Sequence, residues 1–129
     1  MSEKFISDLN KARGLGSAKS GHSHWKWQRI SAFFLIFLSI WFLTKLTLFF
    51  FEPDKTLSKL FYSPLHVLFF ALFINFSLYH GLLGFKVICE DYIRKTTLRE
   101  IIVLISYCVT IATMGIFTLC LLLNFIINI

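Results

Sequence analysis

Three apolar runs, residues 30–51, about 65–85 and about 101–129, constrain this chain more than any other feature in it. Each is long enough to cross roughly 30 Å of hydrocarbon at about 1.5 Å per residue of helix. Composition agrees. With 57% hydrophobic residues, 16 Phe, only 16% charged residues and a mean hydropathy of +0.72, the 129-residue chain has too little polar surface to cover a soluble globule. The expected fold is an all-α membrane protein with three transmembrane helices.

The first run is interrupted only by Lys45, near its far end, where a long side chain can snorkel to the headgroups. The second contains Asn75 and His80, with His66 at its entrance. The third carries no charged side chain and is longer than a span requires, so it should tilt or protrude.

Charge predicts the orientation. Lys4, Lys11, Arg13, Lys19, Lys26 and Arg29 precede the first span, and Arg94, Lys95 and Arg99 lie between the second and third. The first connection has only Lys55 and Lys59, offset by Glu52 and Asp54, and nothing basic follows the third span. The positive-inside rule then puts the N-terminus and the second connection in the cytoplasm, or on the matrix side in an organelle. The organisation expected is a cytoplasmic N-terminal segment (1–29), a first transmembrane helix (30–51), a periplasmic loop (52–64), a second transmembrane helix (65–88), a cytoplasmic loop (89–100) and a third transmembrane helix (101–129). The net charge of +6 is mostly this topological bias, and no nucleic-acid site is read into it.

The first 29 residues lack the apolar core of a secretory signal and carry Glu3 and Asp8, unlike an acid-poor organelle presequence, so no cleaved targeting segment is expected. Gly14, Gly16 and Gly21, among several serines, suggest an irregular segment on the membrane surface, closed by Trp25 and Trp27 at headgroup level. Such a segment is suited to touch a partner. Cys89, Cys108 and Cys120 form no Cys-x-x-Cys pair, and covalent haem attachment, which needs Cys-x-x-Cys-His, is excluded. Thiols acting as small apolar residues account for them.

The second helix carries the chemistry. At about 100° per residue, His80, Gly84, Val87 and Asp91 fall in one stripe, with Asp91 about 16 Å beyond His80 and within about 20° of it. One face therefore offers an imidazole, a gap without a side chain and a carboxylate at the membrane edge. Tyr92 lies about 100° round from Asp91, within reach of a neighbouring helix. A neutral imidazole is a common axial ligand of haem iron, and a glycine one turn away lets a macrocycle approach the backbone. The residues equally allow His80 to hydrogen-bond another helix, with Asp91 and Tyr92 serving as an interfacial cap and an aromatic-belt residue. Residue chemistry leaves both readings open.

The string His80-Gly81-Leu82-Leu83-Gly84-Phe85-Lys86-Val87-Ile88-Cys89-Glu90-Asp91-Tyr92 resembles a family signature. It is that of the smaller hydrophobic membrane anchor of succinate dehydrogenase: a His, ten residues, then Asp-Tyr, with a Gly four after the His. The upstream Arg13-Gly14-Leu15-Gly16-Ser17-Ala18-Lys19-Ser20-Gly21, followed by His24-Trp25 and Gln28-Arg29-Ile30-Ser31-Ala32, is similar to the N-terminal segment of bacterial and mitochondrial members. Length, three spans and orientation agree, so the resemblance covers nearly the whole chain.

The resemblance implies roles. His80 would be one axial ligand of haem b, the other coming from a companion membrane anchor, so that this chain forms half of a two-subunit haem-binding bundle. Tyr92 would donate a hydrogen bond to a carbonyl oxygen of the substrate ubiquinone, its phenol acting as a fixed donor. Asp91 would support that site or its proton supply. Arg29, at the cytoplasmic start of the first helix, is suited to pair with a haem propionate. The other partners implied are the iron–sulfur subunit, the flavoprotein that oxidises succinate, and membrane lipid. The chain itself is a non-catalytic anchor and electron-transfer subunit. The location implied is a bacterial inner membrane, or alternatively the inner mitochondrial membrane.

His66 precedes His80 by two heptads, about 21 Å along the same face, a spacing also found on helices of two-haem cytochromes. It follows Ser63-Pro64 at the membrane boundary, and an interfacial role is expected for it. His22 and His24 lie in a polar segment and are expected to be solvated or to contact a partner. Asn75 is expected to bond across helices. Two further functions stay open: the anchor of a related fumarate reductase, and a structural membrane subunit whose packed histidine holds no cofactor.

Overall fold

A computed structural model describes residues 21–127 of the chain, with side chains from residue 23 onward. The readings placed on residues 1–20, including the glycine-rich motif before Gly21 and its surface role, lie outside the described residues, as does the side chain of His22. The described residues form four helices: α1 (Gly21–Phe51), α2 (Pro53–Tyr62), α3 (Pro64–Tyr92) and α4 (Thr96–Ile127). Three of them, over Ser23–Phe51, Pro64–Tyr92 and Thr96–Ile127, are long and apolar enough to cross a membrane. Within hydrocarbon no water can satisfy backbone N–H and C=O groups, and a helix satisfies them internally.

Prolines set the breaks. Pro53 and Pro64 open α2 and α3, where a missing N–H costs nothing, and each bars helical geometry in the residue before it. Glu52 accordingly sits at φ −139°, ψ 72°, and Ser63 at φ −90°, ψ 122°. The Ser63 N–H still closes the preceding turn on Lys59 O at 3.2 Å. At the other end of α3 the Ile93 N–H bonds Cys89 O at 3.1 Å, and residues 93–95 join α3 to α4.

The helices run further than the apolar runs. The end of the segment expected to be irregular, from Gly21 to the closing Trp25 and Trp27, forms the first turns of α1: with no proline, the local preference for helix propagates through both tryptophans. The segment 52–64, expected to be a loop, contains the ten-residue α2, whose first turn carries Asp54 and whose last carries Lys59, both favourable to the helix dipole. Asp91 and Tyr92, assigned to the loop 89–100, are the last residues of α3.

α3 is the middle helix: it packs against α1 on one side and α4 on the other, while α1 and α4 do not meet. The three long helices therefore form a row rather than a closed bundle. α2 touches all three at the end where α1 finishes and α3 begins. The buried apolar side chains among the described residues are Leu38, Val67, Leu82, Leu83, Cys89 and Leu121, and most large apolar residues described face outward, as lipid contact requires.

Aromatic rings fix the α1–α3 seam. Phe34 stacks on Phe76 at 5.1 Å, Phe42 on Phe73 at 4.5 Å, and Trp41 lies 5.5 Å from Phe69. Positions 34, 41 and 42 on α1, and 69, 73 and 76 on α3, lie at helical spacing, so each set forms one stripe. The α3–α4 seam is polar at its middle. Asn75 Nδ2 donates to Ala71 O at 2.8 Å and to Thr118 Oγ1 at 2.9 Å, as expected for an interhelical bonder. Such bonds are modest in a bilayer, because the separated helices also find partners. Asn75→Leu is therefore expected to lower stability by about 0.6 kcal/mol, and by no more than about 1.7 kcal/mol, in reversible unfolding in mixed micelles.

Candidate functional site

Towards the N-terminal end of α1 the ring stacking gives way to small and polar side chains. Ser31, 1% exposed, is the most deeply covered residue described, and it lies opposite His80. Its Oγ is 2.9 Å from His80 Nδ1, and it also donates to the carbonyl of Gln28 at 2.9 Å. This pair sits about 15 Å into α1 from Gly21 and about 18 Å from the last residue of α3 at 1.5 Å per residue. His80 Nε2, the other ring nitrogen, has no hydrogen-bond partner among the described residues.

Beside His80, towards the α1 start, the helices enclose an open hollow of about 420 Å³ lined by His24, Trp25, Gln28, Arg29, Gly84 and Val87. Gly84 supplies space: a Cβ there would stand 3.6 Å from Gln28 Nε2, in ordinary contact, and would take up room now open. The Arg29 guanidinium lies 4.4 Å over the Trp25 ring, a cation–π contact that holds a positive charge at the hollow. His24 Nε2 and Gln28 Oε1 are buried and make no hydrogen bond among the described residues. A buried polar atom without a partner costs about 1–3 kcal/mol, so both call for a water or a polar ligand group.

The predicted stripe is thus divided. Gly84, Val87 and Arg29 line one concavity, and His80 lies one turn along α3 from Gly84. Asp91 and Tyr92 lie beyond it, one to two turns after Val87, exposed at the end of α3; Tyr92 is 82% exposed. Nearby, Lys86 and Glu90 pair at 3.8 Å across one turn. An open tyrosine at a helix end is positioned to meet a partner or a diffusing molecule rather than the interior of this chain.

The residues suit a haem in three ways. One imidazole nitrogen is held and the other is unpartnered, the glycine leaves the helix surface open, and the hollow carries a guanidinium and two unmatched polar atoms. Among the described residues no three His, Cys, Asp or Glu side chains cluster as a bare metal ion would need, whereas a macrocycle brings most of its iron's ligands itself.

Sequence reasoning passed over Ser31, Gln28 and the hollow side of His24. His24, expected to be solvated or to contact a partner, is half-buried with Nε2 covered, because the helix continues through it and turns it towards α3. The available signal was periodic: His24, Gln28 and Ser31 are spaced four and three apart, one polar stripe on a helix. His66 lies far from this site, with Nδ1 3.0 Å from Ser63 Oγ and its ring 6.2 Å from Trp41. Cys89 is buried, and Cys108 and Cys120 are exposed single thiols on α4.

Residues 4–121 match the family model of the succinate dehydrogenase/fumarate reductase transmembrane subunit. A curated relative from Rickettsia conorii, a succinate dehydrogenase hydrophobic membrane anchor subunit, is 34% identical over 119 residues, covering 91% of this chain and 94% of its own length. A relative of the same name from Rickettsia bellii is 33% identical over 112 residues, covering 81% and 83%. No solved structure matches the chain. With three membrane-length helices and a match that spans the described helices from Gly21 to Leu121, the chain belongs to the family of succinate dehydrogenase/fumarate reductase transmembrane subunits.

Proposed function

We propose that this multi-pass membrane protein is the anchor subunit of a succinate dehydrogenase, that it co-ligates haem b through His80, and that it contributes Tyr92 to the ubiquinone site. The observation that carries the haem reading is the held His80 beside the Gly84 hollow: a ring fixed at Nδ1 with Nε2 unpartnered. The names of the relatives favour succinate dehydrogenase over fumarate reductase. The structural-subunit alternative leaves the unmatched atoms of His24 and Gln28 unexplained.

When bound, haem b supplies a one-electron redox centre within the bilayer. His80 Nε2 would be one ligand of its iron, and a histidine of the companion membrane anchor would supply another. Arg29, fixed by Trp25, would neutralise a propionate carboxylate. Tyr92 would donate its phenolic proton in a hydrogen bond to a ubiquinone carbonyl oxygen, and Asp91 would support the site or its proton supply. Succinate is oxidised on the flavoprotein, the iron–sulfur subunit passes electrons on, and this chain anchors and positions without catalysing succinate oxidation. The N-terminal side of α1 and the connection between α3 and α4 would face the cytoplasm, by the distribution of lysine and arginine, and the bacterial relatives favour a bacterial inner membrane over the mitochondrial one.

Purification through a tag on this chain tests the reading. The preparation should contain a companion three-helix chain, the iron–sulfur subunit and the flavoprotein, with a reduced-minus-oxidised spectrum of b type. Isolation of the chain without these partners, or of the full complex without the b-type band, would overturn it.

A further inference from the structure

We infer that Ser31 is the positioning residue of the haem ligand: its hydroxyl accepts the Nδ1 proton of His80 and so fixes the tautomer whose lone pair is on Nε2. The inference rests on the haem reading of His80 and adds a residue to it.

A serine hydroxyl has one proton and two lone pairs. The Ser31 proton is directed to the Gln28 carbonyl at 2.9 Å, an acceptor that cannot donate in return. Towards His80 Nδ1, also at 2.9 Å, Ser31 Oγ has then only lone pairs to offer, so the proton in that bond belongs to the imidazole. A neutral imidazole protonated at Nδ1 carries its free pair on Nε2, the nitrogen without a partner among the described residues. The chain of donation runs one way, from His80 Nδ1–H to Ser31 Oγ–H to Gln28 C=O.

Burial protects the arrangement. Ser31 is 1% exposed, so water does not compete for its hydroxyl, and the stacked pair of Phe34 and Phe76 one turn along the same seam holds the backbones in register. The bond does three things for a metal-binding imidazole: it sets the ring plane, selects the tautomer and raises the basicity of Nε2. A more basic axial ligand favours ferric over ferrous iron, so Ser31 holds the haem potential down. Loss of such an outer partner costs roughly 10–100-fold in metal affinity.

Ser31→Ala removes only the hydroxyl. In the intact complex it should weaken haem retention by roughly 10–100-fold in a competition with apomyoglobin and raise the midpoint potential of the haem that remains. Ser31→Thr should restore both values, and Ser31→Val, which has the shape of threonine without the hydroxyl, should not. A complex in which Ser31→Ala leaves retention and potential unchanged would sink the proposal. So would one in which Val restores them as well as Thr.

A second measurement needs no variant at Ser31. In the full complex assembled in haem-deficient cells with ¹⁵N-histidine, the His80 signals, identified by their loss in His80→Gln, should show a protonated Nδ1 and an unprotonated Nε2. The opposite tautomer would overturn the inference even if Ser31→Ala fails to assemble. The parent reading fails differently: His80→Gln complexes that keep a normal b-type haem would remove the ligand assignment itself.

Discussion

In His80→Ala complexes the b-type absorption band should vanish, with haem content falling more than about a hundredfold, because removing an axial ligand costs more than the 10–100-fold typical of losing its outer partner. The loss should be selective. His80 is joined to the rest of the chain through Ser31 alone among its described hydrogen bonds, so its removal breaks one bond and leaves the aromatic seam of Phe34–Phe76 and Phe42–Phe73 intact. On the proposed division of labour, which puts succinate oxidation on the flavoprotein, turnover with a water-soluble artificial acceptor should persist as long as the complex assembles. Pyridine haemochrome content per flavin is the measurement. A His80→Ala complex with unchanged content would exclude His80 as the ligand.

Tyr92→Phe should slow ubiquinone reduction roughly a hundredfold. The carbonyl oxygen gains negative charge as electrons arrive, and removal of one fixed donor from such an oxygen costs about 10²–10³ in rate. The side chain is 82% exposed at the end of α3, so the change disturbs no packing within this chain and should leave assembly, haem content and artificial-acceptor activity at wild-type values. The informative quantity is the ratio of quinone-linked to artificial-acceptor turnover. A ratio that does not move would show that another group binds the carbonyl.

The three long helices are legible in the sequence because lipid allows an apolar run so few alternatives. Residues 30–51 and 101–129 can hardly be anything else. His80 is legible for the converse reason, since a polar ring at that depth needs a partner or a ligand. The partner itself is not. Ser31 is one of several serines near an apolar run, and its meeting with His80 depends on which face of α1 turns to α3, a matter settled by ring packing between segments 49 residues apart in sequence. The helix start was the other obstacle: glycine and serine before Trp25 suggest irregular chain, and without the added turns His24, Gln28 and Ser31 do not line up. α2 escaped because ten residues with two lysines and an aspartate look like a polar connection, whereas Pro53 and the charge placement at both ends support a short amphipathic helix. Tyr92 and Asp91 make no side-chain hydrogen bond, ion pair or ring contact among the described residues that would mark them, and their proposed role rests on the family resemblance.

Between Ser23 and Phe51, α1 contains neither proline nor glycine, and among its described residues no backbone angle departs from the helical hand. Trp25 and Trp27 at one end and the hydroxyl against His80 are therefore carried on one unbroken helix, with no proline or glycine between them to part the membrane-surface rings from the imidazole's partner.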